Sequence, residues 1–137
     1  MDLDDLDMLT ESVMTVHKGG QPTDVTFTFA GPGHERGVAQ TARIGREATQ
    51  RKKLMQQAQV NGKKWVAPEE NFLEENIAYV IERMIGWSGL TMGGEPWPFT
   101  PDNARKLLGD PGRVYMVTQA MDFLLDDNSF TKRSPKV

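Results

Sequence analysis

At 137 residues the chain is long enough for one domain with a real core, and too short for a large enzyme with a separate substrate domain. It contains no cysteine, which excludes a disulfide framework, a cysteine nucleophile and any thiolate metal site. The net charge of −3 hides an uneven distribution: four aspartates stand among residues 1–10, whereas Arg36 to Lys64 holds eight basic residues against the single acid Glu47.

The start, MDLDDLDML, lacks the basic beginning and apolar centre of a secretory signal, and no apolar run approaches the ~20 residues of a membrane span. The expectation is a soluble protein that stays in the cytoplasm where it is made. Residues 1–11 read as a poorly ordered acidic tail. From Ser12, two alternating segments follow: SVMTVHK, and then DVTFTFA with Val25, Phe27 and Phe29 on one face and Thr26 and Thr28 on the other. GGQPTD between them supplies turn residues, so the spacing predicts an antiparallel hairpin over 12–30.

After the turn GPG, good helix formers predict a long basic helix over 35–60, weakened at Gly37 and Gly45 by roughly 1 kcal/mol each relative to alanine. Its apolar residues are few, mainly Val38, Ile44, Leu54 and Met55, so little of it can be buried in the chain's own core. Pro68 opens a second helix with Glu69 and Glu70 in its first turn, where the helix dipole favours acids. Phe72, Leu73, Ile77, Val80, Ile81, Met84 and Ile85 recur at i, i+4 and i+8 and predict a core helix reaching Ile85.

The stretch Ile85–Pro111 carries two tryptophans, a phenylalanine, five glycines and four prolines. Aromatics argue for burial and the glycines and prolines for defined turns, which predicts a folded crossover. Thr100 then reads as an N-cap with Pro101 at the first helical position, and Gly109 as the stop. A last helix places Val114, Val117, Met121, Leu124 and Leu125 on one face, and NSFTKRSPKV reads as a polar, frayed end. The fold class is therefore α+β: a hairpin over 12–30, a basic helix over 35–60, a helical unit over 68–127, and a polar tail over 131–137. The expected core is Phe72, Ile77, Val80, Ile81, Met84, Trp87, Val114, Val117, Met121 and Leu125.

No residue pattern points to catalysis, a cofactor or a metal. GPGHERG follows a strand and precedes a helix, but its spacing is not that of a dinucleotide loop and no second strand with a terminal acid follows. His17 and His34 read as surface or turn residues, and DLDDLD lacks the glycine and the distal glutamate of a calcium loop. The basic helix leaves three readings: a solvated face; a nucleic-acid surface, disfavoured because its cations form no single stripe; and a docking helix. In the last, Ile44, Leu54 and Met55 contact a partner while Arg43, Arg46 and Arg51 steer it in.

The last third adds a resemblance. A helix ending at Trp87, then GEPWPFTPDNARKLLGDP with Gly94, Pro96, Pro98, Phe99, Pro101, Asn103, Leu107 and Leu108, then a final amphipathic helix, resembles the tail assembly chaperones of long-tailed bacteriophages. The hairpin and charged helix are similar to that family in layout. The resemblance implies a non-catalytic chaperone in the host bacterial cytoplasm that binds the tape-measure protein, helps recruit tail-tube protein, can self-associate and is absent from the mature virion. The alternatives are a structural minor tail or connector protein of the virion and, third, a small nucleic-acid-binding regulator. Such chaperones are often made in two lengths by −1 frameshifting, and Ser134, Pro135 and Lys136 can be encoded by a slippery C CCA AAG.

Overall fold

The computed structural model describes residues 1–66 and 71–131. Its strands and helices are β1 (Glu11–Lys18), β2 (Gln21–Ala30), α1 (Glu35–Val60), α2 (Phe72–Arg83), β3 (Met84–Ser88), β4 (Thr91–Met92), β5 (Glu95–Pro96), α3 (Pro101–Leu108) and α4 (Val114–Leu125). Short 3-10 turns stand at Leu3–Leu6, Pro111–Arg113 and Asp127–Phe130. The fold is α+β, with the N-terminal hairpin, the long helix α1 and a C-terminal helical unit around an aromatic cluster. None of the described helices is long and apolar enough to cross a membrane.

The hairpin forms as its alternation requires. Gly19 and Gly20 take φ of 59° and 79°, the left-handed pair that a two-residue hairpin turn needs. Strand β2 turns Phe27 and Phe29 inward, where both are fully buried, and their rings meet edge to face at 6.2 Å. Helices α2 and α4 cover this side of the sheet and pack on each other. Helix α3 adds Ala104, Leu107 and Leu108. It is capped as expected, with the Thr100 hydroxyl accepting from the Asn103 amide at 3.0 Å and Gly109 following its last turn.

Three expectations change. The apolar run thought to carry α2 to Ile85 leaves the helix at Arg83 and continues as β3, so that the sheet has three antiparallel strands in the order β1-β2-β3. Met84 pairs with Phe29 and Trp87 with Phe27. Without β3 the Thr26–Phe29 edge of β2 would stand bare, and filling it outweighs one more helical turn that already contains Gly86.

The core list also shifts. Ile77, Val80, Met84 and Val117 are buried, and Ile81, Trp87 and Met121 pack against them half-buried. Phe72, Val114 and Leu125 are exposed instead, and Met116, Ala120 and Leu124 supply the inner face of α4. Val114 opens that helix and Leu125 closes it, where the chain has already turned away from the sheet.

Third, the two ends are tied together. Residues 1–7 lie on the surface, but Met8 and Leu9, read as part of the acidic tail, pack on the core. The Leu9 amide donates to Phe130 O, Met8 bridges Thr131, and Phe130, read as part of a frayed end, is buried. The expected helix start at Pro68, Glu69 and Glu70 lies outside the described residues, as do residues 132–137. Helix α2 is described from Phe72, with the Asn71 side chain accepting from the Glu74 amide.

The crossover is folded around Trp87. Its ring lies 5.2 Å from Trp97, 5.2 Å from Phe99 and 6.5 Å from Phe27, and its Nε1 donates to Trp97 O at 2.8 Å. Strands β4 and β5 make a small hairpin closed by Gly93 and Gly94 at φ of 60° and 83°. The residues that carry the family resemblance are thus largely scaffold: Trp87, Phe99, Leu107 and Leu108 pack, and Asn103 donates to Pro98 O.

Candidate partner-binding surface

Helix α1 spans 26 residues, about 39 Å at 1.5 Å per residue. Its first turn is pressed onto the loop that leaves β2. The His34 Nδ1 accepts from the Arg36 amide, and at Gly37 an added Cβ would lie 2.1 Å from Gly31 O. One turn later the buried Gln40 donates from Nε2 to Tyr79 O at 3.0 Å and to Glu82 Oε1 at 3.2 Å. Its Oε1 accepts from Arg83 Nη1 at 3.2 Å.

Arg83 is the buried cation among the described residues. Its Nε donates to Ala30 O at 2.7 Å and its guanidinium faces the Phe130 ring at 5.5 Å, while Nη2 finds no hydrogen-bond partner among the described residues. Burial lowers its pKa from the ordinary arginine value, and the neighbouring Tyr79 works against that shift. Arg43 then closes the cluster at the surface. It grips Glu82 with two nitrogens, Nε reaching Oε2 at 2.7 Å, and donates to both oxygens of Glu47 at 3.0 Å. Hydrogen bonding to Glu82 raises the Arg43 pKa further above its ordinary value. Burial of Glu82 disfavours its charge, but the hydrogen bonds from Arg43 and Gln40 and the Arg43 charge outweigh it and hold the carboxyl below its usual range.

Beyond Glu47 the helix is not buried in the core. Gly37 and Gln40 are its only buried residues among those described, and both lie in its first two turns. At 100° per residue, Gly37, Gln40, Ile44, Ala48, Arg51, Met55 and Ala58 share one stripe. The stripe that faces the core at its start therefore continues outward, and of its residues beyond Gln40 none among those described is buried. Between this stripe and α2 runs a groove of about 500 Å³ lined by Ile44, Glu47 and Arg51 on one wall and by Glu75, Tyr79 and Glu82 on the other. At the start of α2, Phe72 is 67% exposed and Leu73 42% exposed.

The six residues expected to meet a partner divide accordingly. Ile44 and Arg51 line the groove, and Met55 continues their stripe, with Ile44, Leu54 and Met55 all about 41–42% exposed. Leu54 lies about a quarter turn away. Arg46 points to the opposite side, where it shares a shallow hollow with Gly45 and Lys53. Arg43 is half-buried and holds two carboxylates, tying α1 to α2. The sequence gives no signal for Gln40, Glu82 and Arg83, because their partners lie some 40 or more residues away. Phe72 and Leu73 continue the apolar pattern of α2 and read as core, but both are exposed.

The groove is mixed in character, with Ile44, Ala78 and Tyr79 among the acids Glu47, Glu75 and Glu82 and the arginines Arg43 and Arg51. Among the described residues no group of three or more His, Asp or Glu side chains converges as a metal site would require. No protein-family model matches the chain, and it matches no curated protein and no solved structure.

Proposed function

We propose that the chain is a non-catalytic tail assembly chaperone of a long-tailed bacteriophage, which receives a helix of the tape-measure protein in the α1–α2 groove and helps bring tail-tube protein to it. The observation that carries this reading is the outward half of α1. A helix held by local propensity alone is marginal in water below about 12–15 residues, and most helical stability in proteins comes from packing an apolar face. Here a stripe of Ile44, Ala48 and Met55 runs along α1 unburied, and α2 exposes Phe72 and Leu73. A partner helix laid in the groove would complete that packing, and the aromatic crossover resembling the family would serve as its rigid support. A helical, apolar tape-measure protein is the kind of chain such a surface would shield before assembly. The protein would act in the host cytoplasm and be absent from the finished virion.

Hydrogen exchange of the free protein and of its complex with a tape-measure fragment tests this. Amides from Ile44 to Met55 are expected to exchange readily alone and at least tenfold more slowly in the complex. Equal protection in both states would end the docking reading, and recovery of the protein from purified virions would favour a structural tail component instead.

A further inference from the structure

Strand β1 is an outer strand of the sheet, and among the described residues its free edge is closed at both ends and has no strand beside it between them. Gly31 N–H donates to Thr10 O at 2.8 Å across the β1–β2 ladder. In an antiparallel pair the residues alternate between those that exchange hydrogen bonds with the neighbour and those whose amides point away. Even-numbered residues of this strand therefore face β2, and the amides of odd-numbered residues face outward.

The outward set begins with Leu9, whose N–H is taken by Phe130 O at 2.6 Å. It ends with His17, whose N–H and C=O are both taken by the side-chain amide of Gln119, at 2.9 Å and 2.5 Å. Gln119 thus imitates a neighbouring strand at one end, and the Phe130–Thr131 backbone does so at the other. Between these caps lie Glu11, Val13 and Thr15, about 13 Å of strand at 3.3 Å per residue, with the Thr15 carbonyl already 3.0 Å from His17 Nδ1. The Val13 side chain is 59% exposed. Two hollows of about 690 and 580 Å³ flank this window, and Val13, Phe123, Asp126 and Ser129 line both. Asp122 lines the second.

We propose that this window binds a short extended segment of a partner protein, four or five residues long and carrying lysine or arginine, which adds to the sheet as a strand beside β1. Main-chain bonds to the N–H and C=O of Val13 and to the Thr15 N–H would supply affinity. Glu11, Asp122 and Asp126 surround the window with acid and select basic side chains. A second copy of this chain is the wrong occupant. Antiparallel pairing centred on Val13 would set residue 9 of one copy opposite residue 17 of the other, where Phe130 and Gln119 already sit. Nor do the chain's own last described residues point into it, since the antiparallel bridge of Thr131 to Met8 directs them away from Glu11. The site is distinct from the α1–α2 groove and stands whether or not that groove receives a tape-measure helix.

The test uses the full-length protein and two synthetic peptides, acetyl-Val-Lys-Val-Lys-Val-amide and its Glu-for-Lys counterpart, followed by amide NMR. The lysine peptide is expected to shift and protect the Val13 and Thr15 amides, and to bind at least tenfold more tightly than the glutamate peptide. Two further lysine peptides, N-methylated at alternate residues, distinguish strand addition from loose contact: the one methylated on the amides facing β1 should lose binding, and the other should keep it. Val13→Pro, whose missing N–H faces away from β2, should weaken binding tenfold or more while melting near the parent temperature. Asp122→Asn should weaken it by a smaller, salt-dependent factor. Absence of binding at millimolar peptide, equal binding of the two methylated peptides, or equal binding of the glutamate peptide would overturn the proposal.

Discussion

The sheet with its aromatic crossover and the outward half of α1 differ in what holds them. Around Phe27, Phe29 and Trp87 each ring meets others from distant parts of the chain, from Trp97 and Phe99 on one side to Phe123 and Phe130 on the other. From Ala48 to Val60, α1 buries no residue, and Ala58 alone reaches half-burial. One region is fixed by tertiary packing, the other by backbone hydrogen bonds and propensity. Regions with few buried contacts open at low free energy, and surfaces that must accept a partner are drawn from them. The contrast places rigidity and adaptability at opposite ends of the same helix, with the Gln40–Arg43–Glu82–Arg83 cluster as the boundary.

The largest test of that contrast is Phe29→Ala. Removing a fully buried ring should cost about 3–5 kcal/mol, measured by urea unfolding. A loss below about 1 kcal/mol would show that the sheet core is looser than its packing indicates. Two glycines of α1 sharpen the comparison, because the same change should act in opposite directions. Gly37→Ala drives a Cβ into Gly31 O and should destabilise by roughly 1–3 kcal/mol. Gly45→Ala meets nothing within 4 Å and should stabilise by about 0.5–1 kcal/mol through helix propensity. Equal signs would mean that the two halves of α1 are held alike.

The smallest effect concerns the boundary cluster and pH. The folded-state pKa of Glu82 lies below its ordinary value of 4.5, so its contribution is fully present above that pH and is lost as pH falls through the lowered folded value. Glu82→Gln should therefore flatten the decline of melting temperature in acid, below about pH 4.5, and lower the melting temperature modestly at neutral pH. Parent and variant curves that stay parallel down to pH 3 would remove the Arg43–Glu82 pair from the stability of the α1–α2 contact.

Local features were legible in the residues alone. The hairpin follows from a period of two and a glycine turn, the bounds of α1 from a run of helix formers between GPG and NG, and the cap of α3 from Thr100 and Pro101. The poverty of α1 in apolar residues already marked Ile44, Leu54 and Met55 as exposed. Each of these depends on neighbours within a few positions, and such neighbours are written side by side. What only the tertiary structure decided depends on distant groups. Met84 and Ile85 satisfy a helical period as well as a strand, and the unfilled edge of β2 makes the choice. Arg83 is charged and would read as surface, yet Ala30 O, Gln40 and Phe130 converge on it from three other elements. The open window of β1 arises in the same way, because Gln119 and Phe130 reach its edge from more than 100 residues away and stop short of Val13.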